Sequence, residues 1–360
     1  MSLTTTPLLG IADVAACFDV APGYLAAASN GVLPRSAVAA MTADIARCGR
    51  GEVGPADYDA VVAQTRSAYA ALVDVPAEWV AIGSSTSALI ASVAAGLPPQ
   101  AEVLVAADEF TSVVAPFLAG GRLQVRTVGL GDLADAITEQ TAVVAFSLVQ
   151  SATGELADAA AIARAAHRHG ALTLADLTQA AGVLPVRAAD FDITVNHTYK
   201  WLCTPRGVAF LTVGPQVLER LMPVAAGWYA ADDPWSNCYW PHQAAASGAR
   251  VLDAAPAWQA FVGARESISL FARADLDQLW QHSSGLADEL CAALGLPQPH
   301  RAVVSWPDPD HRQLAQLTAA GIRASGPLDL IRIAFHVWNT RDDVAAVVAV
   351  LGGQPSTGAR

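Results

Sequence analysis

Asp190-Phe-Asp-Ile-Thr-Val-Asn-His-Thr-Tyr-Lys200-Trp201 carries the only lysine of the 360-residue chain; every other basic side chain apart from histidine is arginine. Arginine already fills the surface roles a lysine would have. A single lysine therefore points to work a guanidinium cannot do, namely losing a proton and attacking a carbonyl. The alternative is compositional: a coding bias replaces lysine by arginine and one survives by chance. The residues around Lys200 decide between the two.

On both sides of this stretch, short apolar runs alternate with helical ones. Strands are expected at Trp79–Ile82, Glu102–Ala106, Leu123–Val128, Ala142–Leu148, Ala171–Ala175, Phe191–Val195 and Val208–Val213. Helices fit Thr86–Gly96, Ser112–Leu118, Ala157–His169 and Pro215–Leu221. Strands that are apolar throughout, joined by crossover helices, predict a mostly parallel α/β sheet with ligands at the carboxyl ends of its strands. Ahead of the sheet, Tyr24 to Arg35 reads as an extended arm with a turn at Asn30-Gly31, then helices from Ser36 to Arg47 and from Ala56 to Leu72. Gly227 to Trp240 is aromatic and irregular, a loop. Helices at Ala257–Phe271 and Asp275–Leu294, strands at Ala302–Trp306 and Leu330–Ala334 around a helix near Arg312–Ala320, and a last helix at Arg341–Leu351 make a smaller α+β unit. The expected division is an arm and helix over 1–45, a large domain over 46–245, a small C-terminal domain over 246–352 and a flexible tail over 353–360.

Bulk properties bound the function. A hydrophobic content of 53% with 15% charge suits a compact chain with ample core. A net charge of −12 with no basic stripe argues against a nucleic-acid partner. Five scattered cysteines, none at metal-ligand spacing, read as reduced thiols in a cytoplasm, with no metal site. No basic segment precedes an apolar run near the start, so no signal peptide is expected. The uncharged stretch Trp79 to Gln100 is long enough to raise a membrane span. Its glycine, serine and threonine content and Pro98-Pro99 argue for a buried strand, loop and helix, and no membrane partner is expected.

Three features line up with Lys200. In Thr173-Leu-Ala-Asp176-Leu-Thr-Gln179 an apolar strand ends in a carboxylate, able to keep a ring nitrogen protonated or simply to cap the next helix. Ile82-Gly-Ser-Ser-Thr86-Ser-Ala is a strand, a small polar turn and a helix start, which can bind phosphate or serve as an ordinary cap. Arg332, in Ile331-Arg-Ile-Ala-Phe, is an arginine inside an apolar strand and needs a carboxylate from a substrate or from the protein. A lysine, an acid, a phosphate turn and a buried arginine are the parts that pyridoxal 5′-phosphate chemistry requires.

Asp176-Leu-Thr-Gln179 followed by His197-Thr-Tyr-Lys200-Trp-Leu, and Arg332 followed by Asn339-Thr340, resemble the class V aminotransferase family of fold-type-I pyridoxal-phosphate enzymes. That family includes cysteine desulfurases, kynureninases and isopenicillin-N-epimerase-like proteins. The resemblance runs from Tyr24 to about Val350, with 24 positions between acid and lysine. It implies an α/β fold with a mostly parallel seven-stranded sheet and a smaller C-terminal α+β domain. It also implies roles. Lys200 would form the Schiff base and shuttle the proton, Asp176 would pair with the pyridine nitrogen, and Gln179 would bond the ring hydroxyl. Ser85 and Thr86 would hold the phosphate with Tyr199 and His197. Phe110 would stack on the ring, Gln150 would face the cofactor or the substrate, Arg332 would bind the α-carboxylate, and Ser29 and Asn30 would bind the substrate with it. Members are usually homodimers with sites at the subunit interface, acting on small amino-acid substrates.

Departures from the family narrow the reaction. A desulfurase needs a nucleophilic cysteine shortly before the C-terminal arginine, and Leu314 to Leu330 has none. A kynureninase would show histidine at Gln179, a different arm from Ala28-Ser-Asn-Gly31, and a polar residue at Ala255. A lyase, transaminase or epimerase remains, and a β-eliminating lyase, carbon–sulfur cleavage included, is the favoured reading. The aromatics Trp228, Tyr229, Trp235, Tyr239 and Trp240 would receive a ring-bearing side chain or pack a dimer interface. A non-enzymatic relative would have lost the lysine or the acid, and both are present.

Overall fold

The computed structural model describes residues 7–241 and 244–352; the tail expected at 353–360 lies outside the described residues. Seven strands form the main sheet: β1 (Val80–Gly83), β2 (Glu102–Ala106), β3 (Gln124–Val128), β4 (Thr141–Ser147), β5 (Leu172–Asp176), β6 (Ile193–His197) and β7 (Ala209–Val213). Their order is β1-β7-β6-β5-β4-β2-β3, and β7 alone runs antiparallel to its two neighbours. Every residue of β1, β5 and β7 is buried. This is why these runs read as continuously apolar: both faces of the sheet are covered. The uncharged stretch from Trp79 is β1, the polar turn and the helix Thr86–Gly96, and among the described residues no helix is long and apolar enough to cross a membrane.

Local chemistry explains the helix boundaries. Asp158 caps Ala159–His169 by accepting the Ala161 amide at 2.9 Å. The helix stops at Gly170, whose φ of 72° suits a glycine C-cap, and its last turn carries His167, Arg168 and His169 toward the negative end of the helix dipole. Asp158→Ala is expected to lower stability by about 1 kcal/mol, read as a shift in the urea midpoint at unchanged slope. Helices Arg35–Gly49 and Asp59–Leu72 both pack against Trp258–Phe271. The second of them is pinned by a buried ion pair: Arg66 Nη2 donates to Asp253 Oδ2 at 2.6 Å, while Asp253 Oδ1 accepts the Ile82 amide at 2.9 Å. One carboxylate thus ties a helix, β1 and the segment after 248–252 together.

The C-terminal part adds an antiparallel pair, β8 (Val303–Pro307) and β9 (Leu330–Ala334), with helices Leu276–Ala293, Arg312–Ala319 and Arg341–Leu351. The arm crosses from this unit to the main sheet. Leu25 pairs its backbone with Arg323 and Ala334, and the Gly31 amide donates to the Tyr199 carbonyl at 2.8 Å. A Cβ at Gly31 would lie 2.0 Å from the Lys200 carbonyl oxygen, so only glycine lets the arm press on the lysine loop.

Candidate active site

The parallel strands deliver their last residues to one edge. Ser147 at the end of β4 sits in register with Asp176 at the end of β5, and His197 ends β6 beside them. The turn after β1 brings Thr86, the turn after β2 brings Phe110, and the loop after β6 brings Tyr199 and Lys200. These residues line one cavity together with Ser112, Ser151, Thr178 and Gln179. This is the carboxyl edge at which α/β sheets bind ligands.

Charge in the cavity is finely poised. Lys200 is 5% exposed, and its Nζ lies 5.2 Å from the centre of the Phe110 ring. Burial pulls its pKa down to about 8; the Asp176 charge opposes this, and Arg332 and Arg206 add to it. Asp176 accepts the Thr178 amide at 2.8 Å, yet burial raises its pKa to about 6, with Glu109 pushing the same way and Lys200 opposing. His197 is pushed down to about 4 by burial and then by the Arg206 and Lys200 charges, so it is neutral at pH 7. The Arg206 guanidinium stacks 4.3 Å over the Tyr199 ring, and the rings of Tyr199 and His197 meet edge to face at 4.5 Å.

Arg332 lies on β9 and reaches the same edge. Its Nε donates to Ser325 Oγ at 3.0 Å, its Nη2 to Ser29 Oγ at 2.7 Å, and its Nη1 to the Ser151 carbonyl. Every one of these partners is a neutral oxygen. Burial lowers its pKa to about 10, with the Tyr199 charge opposing, and among the described residues no carboxylate bonds to it.

Several expected contributors are placed differently. Gln150 does not line the cavity: its Nε2 donates to the Asp108 carbonyl at 2.5 Å and its Oε1 accepts the Ala152 amide at 2.9 Å, so the side chain serves the loops instead of facing a ligand. Gln179 lines the cavity, but its Nε2 donates to the Ala28 carbonyl and to Ser151 Oγ, and its Oε1 accepts from Trp201 Nε1 at 2.7 Å. Only a second lone pair on that oxygen is left for a ligand. Ser85 is the cap of helix Thr86–Gly96, accepting the Ala88 amide at 3.4 Å, and Thr86 rather than Ser85 faces the cavity. The Asn30 side chain is spent on the Gly31 carbonyl at 2.6 Å. The loop aromatics lie elsewhere on their own chain. Trp235 Nε1 donates to Asp59 and its ring packs on Trp228, while Tyr239 and Trp240 are 84% and 85% exposed. Sequence reasoning missed Ser112, Ser147, Ser151 and Thr178. Ser147 carried the same signal as Asp176, a polar residue closing an apolar strand.

A family model, aminotransferase class-V, matches residues 56–332. The chain belongs to the class-V aminotransferase family. It is a pyridoxal-phosphate-dependent enzyme of fold type I. The class-V chain is 29% identical to a kynureninase of Deinococcus radiodurans over 324 residues, covering 81% of this chain and 78% of that protein. It is 30% identical to an isopenicillin N epimerase of Streptomyces clavuligerus over 223 residues, 56% and 55% of the two chains. Its fold is similar to that of the cystine C–S lyase C-DES, solved with cysteine persulfide, at a TM-score of 0.83 and 21% identity over 92% and 97% of the chains. The Escherichia coli cysteine desulfurase CsdA superposes at a TM-score of 0.82 with 20% identity over 96% and 98%. At such identities the likeness is one of fold.

The cavity has the donors the cofactor needs. His197 Nε2 is buried without a hydrogen-bond partner among the described residues, at the edge where Thr86 opens a helix. A buried ring nitrogen left unpaired is costly unless a ligand meets it. A phosphate on the Thr86 helix terminus would satisfy it.

Proposed function

We propose that this class-V enzyme eliminates the β-substituent of a small amino acid, with a carbon–sulfur bond as the preferred target. The observation that carries the reading is the make-up of the cavity: among the described residues, Lys200 is its one amine, hydroxyls surround it, and no thiol lines it. Cys203 is buried behind the lysine loop with its thiol pKa pushed upward by burial, and Cys291 is buried under the C-terminal unit. A persulfide-forming route needs a thiolate at the substrate. Elimination needs one group that takes a proton and returns it.

Pyridoxal phosphate, when bound, supplies an aldehyde for amines and a ring that draws electrons from the substrate α-carbon. Asp176 would face the ring nitrogen as a carboxylate above pH about 6. Thr86, Tyr199 and His197 would hold the phosphate, and Phe110 would cover one ring face. Arg332, with Ser29 Oγ and Ser151 orienting it, would clamp the α-carboxylate. Lys200 Nζ would take the α-proton and hand it to the departing β-group, so that the Cα–H and Cβ–X bonds break and HX leaves; water would convert the unsaturated remainder to ammonia and a keto acid. Its lowered pKa of about 8 suits both halves of that transfer. Two copies of the chain would pack through the exposed Tyr239 and Trp240, giving a homodimer.

The test is product analysis on a panel of β-substituted amino acids. Ammonia and a keto acid in equal amounts, formed without any added keto acid, are expected. Turnover that depends on an added keto acid would instead make the enzyme a transaminase, and loss of optical activity without ammonia would make it an epimerase.

A further inference from the structure

Phe110 is 47% exposed and stands on a turn, yet its ring has to keep a fixed place over Lys200 if it is to cover a cofactor face. A loop aromatic with one side open to solvent has little packing to hold it. Something must tie its backbone down.

The turn is held from within. Asp108 has a φ of 56°, left-handed for a non-glycine residue, and its carbonyl is gripped by Gln150 Nε2 at 2.5 Å. Glu109 then points its carboxylate across to the end of β4. Oε1 accepts the Phe110 amide and the Ser147 hydroxyl, both at 2.6 Å, and Oε2 accepts the Ser147 amide at 2.7 Å. Ser147 is the residue in register with Asp176. One side chain thus joins the aromatic turn to the strand edge that carries the buried acid.

We propose that Glu109 is a positioning residue for the cofactor, acting through Phe110, whose ring it fixes over Lys200 by anchoring the turn to Ser147. The proposal rests on the pyridoxal-phosphate reading of the cavity. Only a carboxylate suits the place. It meets three donors with acceptor atoms alone, whereas the amide of a glutamine would aim an N–H at another N–H. An arm that merely stabilised the fold would affect unfolding; an arm that acts through Phe110 must lose its effect when the ring is gone.

The experiment titrates the apo-protein with pyridoxal phosphate and follows tryptophan fluorescence for wild type, Glu109→Gln, Phe110→Ala and the double variant. Circular dichroism in the cofactor band reports its seating. Glu109→Gln is expected to raise the cofactor Kd roughly tenfold, and to change the cofactor dichroism in the same sense as Phe110→Ala. The double variant should bind no more weakly than Phe110→Ala alone, which is the coupling a shared route requires. A Kd for Glu109→Gln equal to that of wild type overturns the proposal, and so do single losses that multiply in the double variant. If Glu109→Gln fails to fold, Ser147→Ala removes one donor only; a rise of about threefold supports the role and no rise overturns it. Wild-type protein that takes up no cofactor would overturn the reading beneath the proposal as well, so the two failures are told apart.

Discussion

Lys200→Ala is expected to abolish turnover on every amino acid while the protein still folds. The side chain is buried and carries a pKa of about 8, so it costs the fold energy that an alanine would release. No neighbour replaces it. Asp176 lies on the same edge but accepts from Thr178, and His197, with a pKa near 4, is too weak a base. Loss of a general base and nucleophile together takes away at least two to four orders of magnitude, by roughly 10²–10⁴-fold for the proton transfer alone. The sign with pH follows from the shift. Capture of the cofactor by apo-protein needs the unprotonated amine, so its rate should climb as pH rises through about 8 rather than through the ordinary lysine value. Borohydride treatment of the wild-type enzyme, followed by peptide mapping, should place the cofactor on the Lys200 peptide. Turnover by the variant at the wild-type rate would refute the assignment.

Arg332→Ala should weaken amino-acid substrates by roughly 2–5 kcal/mol, seen mainly in KM. The guanidinium is buried and its three partners are neutral oxygens, so a substrate carboxylate would be its first anion. Arg332→Lys should recover only part of the loss, because an ammonium cannot keep Ser29, Ser151 and a carboxylate at once in a planar fork. Amines without a carboxylate should be nearly indifferent to either change. If substrate binding is unaltered, the arginine is a strut between β9 and the arm.

How much of this was legible beforehand varies from residue to residue. The strand expected at Glu102–Ala106 is β2 residue for residue, and that at Ala142–Leu148 is β4 displaced by one. Buried parallel strands leave an uninterrupted apolar signature, which is local. Lys200, Asp176 and Arg332 were visible because each is a charge in an apolar setting, a costly placement that needs a reason. The amide partners of Gln150 and Gln179 were not visible. Those side chains are claimed by Asp108, Ala28 and Trp201, which the fold brings from 42, 151 and 22 positions away. Glu109 was hidden for the same reason: its value lies in Ser147, 38 positions on. The place of β7 between β1 and β6 was likewise unreadable, since periodicity says what pairs with a face and nothing about which strand is next door.

That insertion has a consequence for synthesis on the ribosome. Within the sheet, β1 pairs with β7 alone, more than 120 residues later, and its Ile82 amide waits for Asp253. Until that much chain has emerged, β1 is an apolar strand with a bare edge, and the Thr86 turn it carries has nothing to stand against. Strands β2 to β5 can pair with one another as they appear. The Thr86 turn at the end of β1 thus stays without its sheet partner through more than 120 further residues of synthesis, a span over which a chaperone would have an apolar edge to protect.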